Sequence, residues 1–383
     1  MEILKVDQGE FQLARYPSRK NDLLRAWSAA DEYLLNYFNE EIQKNEQDNK
    51  LNLKILILND SFGALTVPLA ALCDVTVWTD SWLSQEGIHE NLERNDLSPT
   101  NIRIVKSTES PEADYDVVLI KIPKSLALLE DQLTRLKLFL PTTTKIIATG
   151  MAKLIHTSTL NLFEKYIGTT KTSLAKKKAR LIFSEIDNSL KNIKSPYPKT
   201  YTLEGTSYDI VNHANVFSRE KLDIGTRFFL QHIPESEKYK NIIDLACGNG
   251  VVGLIAAEKN PSAEMLFLDE SFMAIESAKT NFEKNASSNN VARFETNDSL
   301  NGITNNSADL ILNNPPFHQD NAIGDEVAWK MFKQSKEVLK EKGELWVIGN
   351  RHLAYHIKLK KIFGNCEVIA NNKKFVILKS VNL

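Results

Sequence analysis

The segment Asn314-Pro315-Pro316-Phe317 concentrates the most chemistry in the fewest residues of this chain. A side-chain amide, a proline carbonyl and an aromatic ring follow one another directly. Neither proline has an N–H to donate, and each fixes φ near about −65°. Pro315 also biases Asn314 towards an extended conformation. The backbone therefore leaves the preceding apolar run, Ala308-Asp309-Leu310-Ile311-Leu312, on one stiff path. Two hydrogen-bond acceptors beside an aromatic face suit the holding of a planar, amine-bearing group such as a nucleobase. The alternative is a proline-rich loop with a packed phenylalanine.

Further upstream, Asn241-Ile242-Ile243-Asp244-Leu245 reads as a strand, Ala246-Cys247-Gly248-Asn249-Gly250 as a turn, and Val251 to Glu258 as a helix. This is a ligand-binding βα unit. Gly248 and Gly250 can take positive φ and let a ligand approach the backbone. Gly248-x-Gly250-x-x-Gly253 is literally the dinucleotide fingerprint, but Asp244 would repel a pyrophosphate and could receive an ammonium group. S-adenosyl-L-methionine carries both an ammonium and a sulfonium. Asp269 closes the next strand, Met265-Leu266-Phe267-Leu268, and can accept both ribose hydroxyls of either cofactor. Asn297-Asp298 closes a third short segment. Asp298 there can take an adenine amino group, with Asn297 as its neighbour. Cys247 reads as a small residue in a tight loop rather than a catalytic thiol.

On these residues the chain resembles the bacterial ribosomal RNA guanine-N2 methyltransferases. Asp244-Leu245-Ala246-Cys247-Gly248-Asn249-Gly250 and Asn314-Pro315-Pro316-Phe317-His318 carry the resemblance. Asn350-Arg351-His352-Leu353 and Phe363-Gly364-Asn365-Cys366 look closer to the large-subunit (23S) enzymes than to the small-subunit ones. Asn215-Val216-Phe217-Ser218 and Leu222-Asp223-Ile224-Gly225-Thr226 match the segment ahead of the glycine loop. The resemblance spans nearly the whole chain. It implies methyl transfer from S-adenosyl-L-methionine to a guanine N2 in 23S rRNA, and it implies that Phe217 covers the cofactor pocket. On this reading Asn314 and the Pro315 carbonyl accept the amine hydrogens, Phe317 stacks on the base, and His318 at most helps position it. No metal is called for. Asn-Pro-Pro-aromatic also occurs in adenine-N6 and protein-glutamine methyltransferases. The same chemistry on 16S rRNA or on a glutamine amide therefore stays open, as does a non-enzymatic RNA-binding relic.

The elements that would position these groups occur twice. Lys54 to Gly63 aligns with the strand and loop ending at Gly250, Val75 to Ser81 with the strand ending at Asp269, and Asp116 to Lys124 with Asp309 to Phe317. In the first copy Ile57 replaces Asp244, Ser61 replaces Gly248, Thr79 replaces Asp269, and Lys121-Ile122-Pro123-Lys124 replaces Asn-Pro-Pro-Phe. Each change removes a cofactor or amine contact while the apolar strands persist. The expectation is an α/β protein of two tandem Rossmann-like methyltransferase domains. The first, over 1–170, is degenerate, and Lys121 and Lys124 suit it to RNA docking. A basic linker follows over 171–200, and a catalytic domain over 201–383. The catalytic sheet is mostly parallel and ends in an antiparallel hairpin, from Cys366–Ala370 and Phe375–Leu378 around an Asn-rich turn.

A chain of 383 residues fits two cores better than one. Its formal net charge of −2 counts mildly against a nucleic-acid role. The charge is uneven, however: Lys165 to Lys199 is rich in lysine, and Lys358, Lys360 and Lys361 form a second cluster near Arg351. No run is long and apolar enough to cross a membrane, and the amino terminus lacks the pattern of a signal peptide. Cys73, Cys247 and Cys366 are far apart and odd in number, which fits a reducing cytoplasm and offers no zinc site. A monomer is the default assembly.

Overall fold

The computed structural model describes residues 2–18, 24–41, 53–112, 114–316 and 322–383. The chain divides into two compact units, Met1–Tyr197 and Pro198–Leu383.

The first unit opens with an antiparallel hairpin, Glu2–Val6 with Gly9–Leu13, followed by the helix Ala29–Glu41. Its sheet has seven strands: β1 Lys54–Leu58, β2 Asp74–Thr79, β3 Arg103–Lys106, β4 Val117–Lys121, β5 Lys145–Met151, β6 Thr170–Thr172 and β7 Ala179–Ser184. Their spatial order is β3-β2-β1-β4-β5-β7-β6. The first five are parallel, and β7 pairs antiparallel with both β5 and β6. Ile55 and Ile57 pack in one core cluster and Leu56 and Leu58 in another, so β1 is buried on both faces. A parallel sheet with both faces covered reads as a continuous apolar run for this reason.

The stretch expected as a basic linker over 171–200 is strand in its first half. Leu181 and Ile182 are fully buried, and they draw β7 into the sheet between β5 and β6. Lys176, Lys177 and Lys178 form the turn ahead of β7, bridged by Lys176 and Ala179. Lys177 and Lys178 there have φ of 47° and 64°, the left-handed pair that tight hairpin turns use. The stretch stays with the first unit as far as Tyr197, since Ser195 Oγ donates to Asp131 Oδ1 (2.6 Å) and Tyr197 Oη to Glu130 Oε2 (3.2 Å), and from Pro198 it belongs to the second.

The second unit repeats the plan. A hairpin, Lys199–Thr202 with Asp209–Asn212, and a short helix, Ile224–Leu230, precede the sheet. Its strands are β8 Asn241–Leu245, β9 Glu264–Asp269, β10 Val291–Thr296, β11 Ala308–Asn313, β12 Leu339–Asn350, β13 Glu367–Asn371 and β14 Phe375–Val381. The spatial order, β10-β9-β8-β11-β12-β14-β13, is that of the first sheet. The β13–β14 hairpin again pairs antiparallel against an otherwise parallel sheet. Ile242, Leu310, Leu312 and Ile348 fill one face, and Ile243, Leu245, Ile311 and Leu345 the other. The strands β8, β9 and β11 run parallel, so their carboxyl ends gather on one edge. In open α/β sheets that edge is where ligands bind.

Candidate active site

The glycine loop leaves β8 through three left-handed residues: Ala246 (φ 59°), Gly248 (55°) and Gly250 (76°). A Cβ on Gly250 would lie 2.7 Å from Ala278 Cβ, and one on Gly253 would collide with Phe267 Cε1. Those two glycines serve the close packing of the helix Val251–Lys259 on its neighbours. Gly248 differs, since a Cβ there would meet nothing within 4 Å. Its N–H donates to Asp269 Oδ2 (2.9 Å), while Asp269 Oδ1 accepts from the Ser271 N–H (3.1 Å). Asn249 points the other way. Its Nδ2 donates to Asn212 Oδ1 (2.9 Å), which fastens the loop to the preceding hairpin.

Asp244 is 2% exposed and accepts the Gly253 N–H at 2.8 Å. Burial pushes its carboxyl up to about 7; the Gly253 hydrogen bond opposes that rise and the charge on Asp269 adds to it. Burial, then Asp269 and Asp244, hold the Cys247 thiol well above its ordinary range. A thiol kept protonated is a poor nucleophile.

Asp298 is buried beyond the end of β10, and its Oδ2 forms an ion pair with Lys330 of the helix Ala322–Val338. An adenine amine would therefore share this carboxylate with a lysine that the sequence does not pair with it. Asn297 turns back on its own loop: Oδ1 accepts the Asp298 N–H (2.8 Å) and Nδ2 donates to the Asn301 carbonyl (2.8 Å). Phe217 is 64% exposed, large for an aromatic side chain, and lies ahead of the helix Ile224–Leu230.

Asn314 follows β11 directly, with Pro315 buried and Pro316 exposed. Phe317 and His318 lie outside the described residues. Asn314 Nδ2 donates to Thr226 Oγ1 at 3.1 Å, and Thr226 Oγ1 lies 3.5 Å from Asp223 Oδ2. Asp223 caps the helix, its Oδ2 accepting the Thr226 N–H at 2.9 Å. A hydroxyl that gives its proton to a carboxylate can only accept from the amide, so the Asn314 NH2 is fixed towards Thr226 and its oxygen away from it. That oxygen is buried and has no hydrogen-bond partner among the described residues. Thr226 had gone without a role in the sequence. Its signal was there, in an Asp-x-x-Thr helix start.

The register fixes the corresponding positions of the first unit. Leu58 pairs with Ile120 as Leu245 pairs with Asn313, so Lys121 stands where Asn314 does. Lys121 is not the free cation expected for RNA. Its Nζ lies 2.6 Å from Asp31 Oδ1 and 3.3 Å from Asp60 Oδ1. Burial draws its pKa down, and the two carboxylates more than offset that, leaving it above the ordinary lysine value. Asp60 also accepts the N–H groups of Ala64, Leu65 and Thr66. Lys124 is exposed.

A family model described as the RLMG N-terminal domain matches residues 1–188, and one described as the methyltransferase small domain matches residues 207–379. A "Ribosomal RNA large subunit methyltransferase G" of Streptomyces coelicolor is 46% identical over 97% of this chain and 98% of its own length. The chain belongs to the ribosomal RNA large subunit methyltransferase G family. The family's proteins from Psychromonas ingrahamii and Aeromonas salmonicida are 46% and 48% identical, covering 100% and 96% of this chain and 99% and 96% of their own lengths. A solved structure, the T. thermophilus 16S rRNA N2 G1207 methyltransferase (RsmC) in complex with AdoMet and guanosine, matches with a TM-score of 0.75. It is 18% identical and covers 100% of this chain and 98% of that one, a likeness of fold. The tandem pair of sheets is thus the architecture of the family, as the duplicated sequence pattern predicts. No helix among the described residues is long and apolar enough to cross a membrane, and no cluster of His, Cys, Asp and Glu among them could hold a metal.

Proposed function

We propose that this chain transfers a methyl group from S-adenosyl-L-methionine to the exocyclic N2 amine of a guanosine in 23S rRNA. The observation that carries the reading is the Asn314 amide, with its NH2 held by Thr226 and its buried oxygen without a partner among the described residues. An unsatisfied buried acceptor costs about 1–3 kcal/mol, and an N–H donor arriving with the substrate removes that cost. Asn314 Oδ1 and the Pro315 carbonyl each take one amine hydrogen. This draws the nitrogen lone pair out of conjugation and holds it in line, which is a positioning and electrostatic contribution. Phe317 stacks on the extruded base.

The pocket suits the cofactor in two respects. Gly248 faces open space, and Asp244 is a buried carboxyl with no cation beside it in the contacts described. Asp244 and the backbone of Gly248 and Gly250 would hold the methionine end, Asp269 the ribose, Asp298 and Asn297 the adenine, and Phe217 the open side. The bound cofactor supplies an electrophilic methyl on a sulfonium. The first unit, 1–197, would dock RNA through the exposed Lys171, Lys176 and Lys178, and the second unit, from Pro198 on, would carry the reaction. The names of the relatives support a large-subunit substrate. The free cysteines Cys73, Cys247 and Cys366 support a cytoplasmic setting, with a monomer as the working assembly.

Mass mapping of modified nucleosides in rRNA from cells lacking this protein tests the reading. The expected result is loss of one N2-methylguanosine from 23S rRNA, restored by the wild-type chain and not by Asn314→Ala. Loss from 16S rRNA instead, or an unchanged N2-methylguanosine map, would overturn it.

A further inference from the structure

A second buried amide oxygen lies at the end of the neighbouring strand β12. Asn350 ends β12, is 7% exposed, and its Oδ1 has no hydrogen-bond partner among the described residues. Side chains alternate along a strand, so Asn350 shares a face with Trp346 and Ile348. Both belong to the core cluster that also contains Phe229 of the helix Ile224–Leu230. Asn314 reaches that same helix through Thr226. Asn313 pairs with Val347, which places Asn350 about three residues, roughly 10 Å, further along β12, level with the Asn-Pro-Pro corner. Asn350 also pairs with Phe375, whose ring a Cβ on Gly225 would meet at 3.0 Å. The first turn of this helix thus lies beside both asparagines. Asn313 Oδ1 also has no hydrogen-bond partner among the described residues, but that side chain belongs to the opposite face, where its Nδ2 donates to the Leu245 carbonyl (2.8 Å) and lies 3.7 Å from Met331 Sδ. The first unit offers a control. Ile120 pairs with Ala148 as Asn313 pairs with Val347, so Met151 stands where Asn350 does.

We propose that Asn350 accepts the N1–H of the target guanine with its buried amide oxygen and so makes the site selective for guanine. The proposal rests on Asn314 and Pro315 holding the N2 amine. With N2 held there, the adjacent donor on the same edge of the base is N1–H, next to O6. Adenine presents a bare acceptor at N1, which would leave the Asn350 oxygen unpartnered. A buried acceptor left empty is a strong means of rejecting a near-isostere.

The test uses the full-length protein and 23S rRNA ligated around a synthetic segment. The segment carries either the mapped target guanosine or 2-aminopurine riboside, which keeps the 2-amino group but lacks N1–H and O6. The wild-type chain is expected to methylate the 2-aminopurine RNA about 10²-fold less efficiently in kcat/KM. Asn350→Met, taking the residue of the first unit, should lower kcat/KM on guanine RNA by a similar factor and leave the 2-aminopurine RNA unchanged, so that the ratio approaches one. Cofactor affinity by calorimetry confirms that the variant is folded. A ratio that stays at the wild-type value in folded Asn350→Met overturns the proposal. If that variant does not fold, equal wild-type efficiency on the two RNAs overturns it by itself. Asn314→Ala should slow both RNAs alike. If it slows neither, the reading of the site has failed, whereas an inactive Asn314→Ala with an unchanged Asn350→Met ratio overturns the Asn350 role alone.

Discussion

At the carboxyl end of its fourth strand, each unit sets one polar residue against the first turn of a helix. In the first unit this is Lys121 against Asp31, and in the second Asn314 against Thr226. The backbone beneath is shared: Asn59 and Ala246 have φ of 62° and 59°, and Gly63 and Gly250 have 78° and 76°. The side chains divide the two. In the first unit a lysine is held between two carboxylates, and Asp60 also caps the loop beneath it. In the second unit an amide oxygen is left buried without a partner among the described residues, and a carboxyl is pushed up to about 7. One pocket has satisfied itself from within. The other keeps unmet demand that a ligand can supply, and the proposed division of the chain into scaffold and site rests on that difference.

Exchanging the demands should have unequal consequences. Asn314→Ala removes the acceptor in the second unit and is expected to lower single-turnover methylation of 23S rRNA by about 10³-fold, with cofactor affinity by calorimetry nearly unchanged. Near-normal turnover would place the chemistry elsewhere. Lys121→Met strikes the matching position of the first unit. It leaves Asp31 and Asp60, 1% and 0% exposed at the side chain, without their cation. Breaking a buried pair from one side costs about 3–5 kcal/mol. The urea transition of the first unit should shift down accordingly, while methylation per folded molecule stays within about twofold. A variant as stable as wild type would mean that the clamp holds nothing.

Much of this contrast could be read in the sequence, and the part that could not has a physical pattern. The strands, the glycine turn, the terminal hairpin and the duplication are local signals, carried by apolar runs and turn residues. The acids Asp244, Asp269 and Asp298 could be placed at the ends of strands for the same reason. Partners far apart in the chain left no such trace. Lys121 reads as a free cation until Asp31 and Asp60 close on it, and Asp298 reads as an open carboxylate until Lys330 reaches it from 32 residues away. The run from Lys171 to Arg180 reads as linker because its lysines face out. Only the buried alternate positions Ala179 and Leu181 reveal the strand β7. Asn350 stood in the sequence only as part of the Asn350-Arg351-His352-Leu353 resemblance, because an asparagine at a strand end has no evident role until its oxygen is found buried without a partner among the described residues.

A subtler difference lies in what holds each polar residue still. Thr226→Val keeps the shape of the side chain but removes the acceptor for Asn314 Nδ2. The amide is then free to turn its NH2 towards the substrate. Turnover should fall about tenfold with cofactor affinity unchanged, as expected for loss of one hydrogen bond that orients a reacting group, and Thr226→Ser should recover most of it. If Val and Ser behave alike, the hydroxyl does not orient the amide.

The smallest effect concerns pH, and it separates Asp244 from Ile57, its counterpart in the first unit. With a carboxyl held up to about 7 by burial, Asp244 is mostly neutral at pH 6 and mostly charged at pH 8. A cationic ligand favours the charged form. Cofactor affinity should therefore rise severalfold from pH 6 to 8, by at most about tenfold per unit, and binding near pH 7 should release a proton. Calorimetry in two buffers of different ionisation heat measures that proton directly. Without cofactor the sign reverses. The folded carboxyl titrates above its unfolded value, so its contribution to stability is complete below about pH 4 and is lost as pH rises through about 7. Asp244→Asn should flatten both profiles at once and weaken cofactor binding at pH 8 more than at pH 6. If the heat is independent of the buffer, Asp244 does not change its protonation on binding, and the raised carboxyl is not what the cofactor answers.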